Sequence, residues 1–187
     1  MNWYKHVLPM AARLLKKLTG VVVVIAATTS YAQAASVAVD YIRGEGDVEG
    51  IKVAYQYYQQ VLTDYSPDLH FYVETSVNFW EYGAERQHDT NFIIALSPVL
   101  RKTFSPSATG RFFGEFGIGL SLLDDTRFAG KNVSTHYQFE DRLGLGYEFG
   151  RTYQYRLALR YFHYSNGGVK KPNPGLDFIS LSFAMRL

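Results

Sequence analysis

Apolar and polar residues alternate one for one through most of this chain, and that pattern limits its fold more than any other feature. Successive side chains leave a β-strand on opposite sides, so a period of two marks a strand whose two faces meet different surroundings. Over 177–187 the odd positions are Ile179, Leu181, Phe183, Met185 and Leu187, while the even ones include Ser180, Ser182 and Arg186. Over 111–122 Phe112, Phe116, Ile118, Leu120 and Leu122 oppose Arg111, Glu115, Gly117, Gly119 and Ser121. Over 137–149 Tyr137, Phe139, Leu143, Leu145, Tyr147 and Phe149 oppose His136, Gln138, Glu140, Arg142 and Glu148, with Asp141 breaking the apolar face. Eight such segments are expected, at about 36–43, 51–62, 69–82, 90–104, 111–123, 135–149, 152–165 and 177–187, separated by stretches rich in Gly, Asp, Asn and Pro.

Two architectures use this alternation. A soluble sandwich or barrel turns the apolar face inward, whereas an outer-membrane barrel turns it out to lipid and keeps its polar face inside. Segment length favours the membrane, because several segments exceed the roughly 9–11 residues that cross a bilayer and the 5–6 usual in soluble strands. The polar faces carry Glu74, Glu115, Glu140, Arg142, Glu148, Arg156 and Arg160, opposite charges suited to an internal paired network. Aromatic residues gather near segment ends, at Tyr55, Tyr57, Tyr58, Tyr82, Tyr147, Tyr153 and Tyr155, as interfacial girdles do. The expectation is an all-β, eight-stranded antiparallel transmembrane barrel, narrow enough to be filled by side chains rather than open as a pore. With both termini periplasmic, the 44–50, 83–89, 124–134 and 166–176 connections are external, and 63–68, 105–110 and 150–151 are periplasmic turns.

Residues 1–34 carry Lys5, Arg13, Lys16 and Lys17 and no acid, then an apolar run from Leu18 to Ala27 and a stretch ending Ala32-Gln33-Ala34. A basic start, a short apolar core and an Ala-x-Ala site are the parts of a secretory signal peptide, and the run is shorter than the roughly 20 residues of a spanning helix. Cleavage after Ala34 is expected, leaving residues 35–187 as the barrel. The whole chain has a formal charge of +2, with 19 cations and 17 anions. Without 1–34 there are 15 cations against 17 anions, net −2, so the basic character belongs to the leader and nucleic-acid binding loses its compositional support. The absence of cysteine excludes a disulfide framework, a thiolate metal site and a cysteine nucleophile.

The last hairpin holds the residue types that carry chemistry. His163 and Ser165 are two apart on one strand and share a face. A serine hydroxyl needs a neighbouring base to become a nucleophile, and an imidazole needs a carboxylate on its other nitrogen to fix its tautomer. Asp177 opens the next antiparallel strand and is placed to reach back. The parity is unusual, since His163, Ser165 and Asp177 fall on the odd, lipid-facing set. A polar group facing lipid is costly and suggests function, although near the rim it would already lie among headgroups. From spacing alone a triad and an ordinary polar rim both remain open.

The segment His163-Tyr164-Ser165-Asn166-Gly167-Gly168-Val169-Lys170-Lys171-Pro172-Asn173 resembles the hallmark hairpin of the lipid A 3-O-deacylases, the PagL family. The strong motif covers about the last 28 residues, and the wider resemblance (leader, eight strands, C-terminal placement) spans the chain. It implies an outer-membrane serine esterase that removes the 3-O-linked hydroxyacyl chain of lipid A with a Ser-His-acid triad on the barrel exterior. Ser165 matches the nucleophile and His163 the base. The family's acid is usually Glu, and this chain has the shorter Asp177, which requires a register shift or a closer backbone approach. The resemblance also favours Gly168 N–H and Asn173 as oxyanion donors, and turn chemistry is the competing role for both. Lys170 and Lys171 are candidates for lipid A phosphates or simply a solvated loop tip.

Other candidates are weaker. His70, His88 and His136 lack metal-ligand spacing, and the acidic loop residues Asp124, Asp125, Glu45, Asp47 and Glu49 are candidates for a divalent cation held with lipopolysaccharide, or for plain solvation. No cofactor, no resident metal and no nucleic-acid partner are expected, and the chain is read as membrane-embedded, monomer or homodimer. The alternatives are a non-catalytic small barrel with a structural, adhesive or lipopolysaccharide-binding role, and another lipid esterase or acyltransferase.

Overall fold

The computed structural model describes residues 35–59, 62, 65–83, 89–104 and 109–187. The expected signal peptide therefore lies outside the described residues, as does His88. Eight long strands form the barrel: β1 (Ala35–Gly44), β2 (Glu49–Gln59), β3 (Leu69–Tyr82), β4 (Asp89–Phe104), β5 (Gly110–Leu123), β8 (Tyr137–Phe149), β9 (Tyr155–Ser165) and β10 (Leu176–Arg186). Two short strands, β6 (Arg127–Phe128) and β7 (Lys131–Asn132), make a hairpin within the β5–β8 connection that the alternation does not announce. Each long strand pairs antiparallel with its neighbours, and β1 pairs with β10 to close the ring. Closure leaves no unpaired strand edge, which a hydrocarbon environment demands. Eleven residues at about 3.3 Å each, tilted by about 45°, rise about 25 Å, enough for the apolar band of such a barrel.

The faces sort as the alternation requires. Leu157, Leu159, Ile179, Leu181 and Phe183 are exposed on the outside, while Arg156, Ala158, Arg160, Ser180 and Ser182 between them are buried. Among the described residues, five buried cations (Lys52, Arg101, Arg142, Arg156, Arg160) face five buried anions (Asp40, Glu74, Glu115, Glu140, Glu148). The pairing is extensive: Lys52 Nζ lies 3.0 Å from Glu140 and 3.1 Å from Glu74, and Arg160 meets Asp40 at 2.9 Å and Glu115 at 2.6 Å. Arg101 lies 2.8 Å from Glu115, and Arg142 bonds both Glu74 and Glu140. Balanced charge and dense hydrogen bonding offset a desolvation cost that would otherwise be several kcal/mol per ion.

An aromatic plug lies beyond this network, toward the end that bears the 124–136 and 166–175 connections. Trp80 packs on Phe178 at 4.3 Å between ring centroids, on Tyr164 at 4.9 Å and on Phe128 at 5.8 Å. Phe128 and Val133, contributed by the β6–β7 hairpin and the residue after it, are buried with Ile42, Val48 and Phe162.

Three expectations need correction. Tyr58 is not a girdle residue: it shares the inward parity of Gln56, donates to Gln56 Oε1 at 3.2 Å and accepts from Arg101 at 2.9 Å. The turn expected at 150–151 occupies 150–154, because Gly150 and Tyr153 take left-handed φ values of 92° and 53° that interrupt a strand. At the other end, Leu176 already belongs to β10, so the 166–176 connection ends one residue earlier.

Candidate functional site

The site is built where β9 ends and β10 begins. Phe162 and Tyr164 point inward: Phe162 lies against Lys52 and Arg142, and the Tyr164 hydroxyl donates to Glu140 Oε2 at 2.7 Å. The residues between and after them, His163 and Ser165, therefore point outward from a strand clamped on its other face. The β9–β10 register sets Asp177 directly opposite His163. Direct opposition brings Cβ atoms to about 4.5–5.5 Å, within reach of a short acid. Asp177 Oδ1 lies 2.7 Å from His163 Nδ1, with both side chains about one-third exposed. The Asp-for-Glu departure thus needs no slip of register.

The close approach is completed by Gly175, which precedes β10 with φ of 71°. A Cβ there would stand 2.6 Å from His163 Cε1, so only glycine lets the imidazole lie over this backbone. Lys131 of the β6–β7 hairpin donates to the Gly175 carbonyl at 3.1 Å and pairs with Glu45.

The 166–175 loop is ordered by Asn166, which is fully buried. Its amide donates to the carbonyls of Val133 at 3.1 Å and Lys170 at 2.9 Å, and its Oδ1 accepts the Gly168 N–H at 2.9 Å. Its own N–H donates to Asn173 Oδ1 at 3.2 Å, which turns the Asn173 NH₂ away from Asn166. Lys170 and Lys171 are exposed on the loop. Three of the remaining candidates have structural partners. His136 Nδ1 meets the Leu123 carbonyl at 2.9 Å, Asp124 accepts from Phe92 N–H at 2.7 Å and Asp125 accepts from Arg127 N–H at 2.8 Å. The Nε2 of His70 is buried without a hydrogen-bond partner.

The structure brings His163 and Asp177 into contact and sets Ser165 on the same face, while Gly168 and Asn173 sit in one loop organised by Asn166. Sequence reasoning missed the roles of Asn166 and Gly175, and missed Tyr161, whose hydroxyl donates to Asp177 Oδ1. A buried Asn before Gly-Gly is a turn-former by composition, but its long-range carbonyl partners are invisible in the chain. Tyr161 shares the parity of His163, a usable signal, yet reads as one more lipid-facing aromatic.

Comparison with known proteins places the chain in a family and a fold. Residues 49–186 match the family model described as lipid A 3-O-deacylase (PagL). The lipid A deacylase PagL of Bordetella bronchiseptica is 47% identical over 73 residues, covering 39% of this chain and 40% of that one. The lipid A deacylase PagL of Pseudomonas aeruginosa is 32% identical over 114 residues, covering 60% of this chain and 62% of that one. The chain thus spans less than two thirds of the length of these curated relatives. In fold it is similar to the crystal structure of the outer membrane enzyme PagL, with a TM-score of 0.68 and 23% identity, over 80% of this chain and 98% of that one. Neisserial surface protein A shares the barrel with a TM-score of 0.52 and 12% identity, over 82% of this chain and 94% of the other. With its family model matched along most of the barrel, this outer-membrane β-barrel belongs to the PagL family of lipid A 3-O-deacylases.

Proposed function

We propose that the chain is an esterase that hydrolyses the 3-O-linked hydroxyacyl chain of lipid A at the outer face of its barrel. The observation that carries this reading is the His163 Nδ1 to Asp177 Oδ1 contact of 2.7 Å on the exterior, with Ser165 two residues along the same face. With Nδ1 taken by the carboxylate, Nε2 is the nitrogen that accepts the Ser165 proton. Ser165 Oγ attacks the ester carbonyl, and the tetrahedral oxyanion is met by the Asn173 NH₂, with Gly168 N–H as a second donor if it shares its bond to Asn166. His163 returns the proton to the departing sugar oxygen, which leaves an acyl-serine. Water, deprotonated by His163, then attacks the acyl carbon and releases the fatty acid. Lys170 and Lys171, exposed on the 166–175 loop, supply ammonium groups of the kind that bind phosphates such as those of lipid A.

The location fits the substrate's chemistry. A lumen filled by ion pairs and aromatic rings has no room for a lipid, whereas a site on the outer wall meets a leaflet lipid without extracting it. Mass spectrometry of lipid A from cells expressing wild type or Ser165→Ala tests the proposal. Wild type alone should remove one hydroxyacyl chain, since loss of a triad nucleophile costs on the order of 10⁶ in kcat. Unchanged lipid A in both would return the chain to a non-catalytic barrel, and phospholipid products would point to a different lipid enzyme.

A further inference from the structure

We propose that Tyr161 is a positioning residue for the triad acid, holding Asp177 on β9 independently of His163; the inference rests on the triad reading above. The Tyr161 hydroxyl donates to Asp177 Oδ1, the same oxygen that meets His163 Nδ1. The register explains how. Tyr161 lies opposite Ile179, and His163 lies opposite Asp177, so Tyr161 is the diagonal neighbour of the acid on the outer face. A diagonal separation of about 7–8 Å between backbones is beyond most side chains but within reach of a tyrosine.

An aromatic in an interfacial girdle presents its hydroxyl to water and headgroups. Here the hydroxyl is committed to a carboxylate. Asp177 stands at the rim with more than a quarter of its side chain exposed, so His163 alone would leave the carboxylate free to turn toward solvent. His163 also changes charge twice in each acyl transfer, which makes it a poor sole anchor. Tyr161 does not change charge in the cycle. By fixing Oδ1 it keeps the carboxylate on Nδ1, and so keeps Nε2 toward Ser165. Both donors to this oxygen come from one strand whose inner face is locked by Arg160, Phe162 and Tyr164, so the carboxylate is referenced to β9 as well as to its own strand.

The test compares wild type, Tyr161→Phe, Asp177→Ala and the double variant, each as full chain folded in detergent. The readouts are steady-state release of the acyl chain from lipid A and the rate at which a fluorophosphonate labels Ser165. Phenylalanine keeps the ring and loses only the donor. The expected result is a fall of about tenfold in kcat and in labelling rate, the scale of one hydrogen bond to a charged group, with KM unchanged. In the Asp177→Ala background, which leaves no side-chain acceptor for the Tyr161 hydroxyl, the Tyr161→Phe change should have no further effect. A purely structural tyrosine would lower both backgrounds alike, and a substrate-binding hydroxyl would raise KM; either result overturns the proposal, as does a Tyr161→Phe rate within twofold of wild type. Tyr161→Met, which removes ring and hydroxyl together, carries the same test through if the phenylalanine variant does not fold. If wild type labels at Ser165 yet releases no acyl chain from lipid A, the substrate reading fails while the labelling rates still judge Tyr161.

Discussion

The two faces of β9 do opposite work with interleaved residues. Arg156, Arg160, Phe162 and Tyr164 face a packed lumen, where Arg156 bonds Gln56, Arg160 bonds Glu115 and Tyr164 bonds Glu140, all on other strands. Tyr161, His163 and Ser165 face outward, where Tyr161 and His163 meet Asp177 of β10. The inner set trades heavily desolvated charges for one fixed geometry. The outer set stays partly exposed and keeps chemical freedom. The comparison teaches that the proposed catalytic groups of β9 take their positions from inner neighbours one residue away, because a strand clamped on one face has little freedom on the other.

Cutting the inner set should move stability rather than chemistry. Arg160→Ala strands Asp40 and Glu115 without their shared partner, and breaking a buried pair from one side costs about 3–5 kcal/mol. A lowered urea midpoint for barrel unfolding, with near-normal Ser165 labelling in the molecules that remain folded, is the expected outcome. Lost labelling in a barrel of unchanged stability would erase the division of labour.

Cutting the outer set should do the reverse. Asn173→Ala removes the proposed oxyanion donor and should lower kcat by about 10²–10³, the usual cost of one such donor, with little change in the unfolding midpoint. Asn173 also accepts the Asn166 N–H, so Asn173→Asp, which keeps an acceptor and removes the NH₂, separates the two roles. Full activity in the aspartate variant would shift the oxyanion role to backbone donors such as Gly168. The smallest effect belongs to the loop cations. Replacing Lys170 and Lys171 together by Ala should raise KM about threefold at low salt, within the roughly 1 kcal/mol of exposed charge pairs, and the difference should fade as salt screens it. A salt-independent change would assign these residues to loop structure.

Much of the barrel was legible because its cause is local. A strand separating lipid from a polar lumen must alternate, so Leu157, Leu159 and Ile179 declare the outside and Arg156, Arg160 and Ser180 the inside without reference to any partner. The same parity placed His163, Ser165 and Asp177 on one outer surface, and the His-x-Ser hairpin carried the resemblance to the family. The aromatic residues were less legible. Tyr58 and Tyr161 look alike in the chain, yet one closes on Arg101 in the lumen and the other on Asp177 outside. The β6–β7 hairpin left no periodic trace because two residues are too few to show one.

The sequence by itself determined the number of barrel strands, which face of each meets lipid, and which residue types stand together near the C-terminus, since each follows from a two-residue repeat and turn chemistry. Only the tertiary structure decided the partners. Whether a short acid reaches His163 depends on the β9–β10 register, on a backbone approach that Gly175 alone permits, and on a tyrosine hydroxyl arriving from the diagonal position. Those are relations between strands, set by which hydrogen bonds close the ring, and no property of either strand read alone contains them.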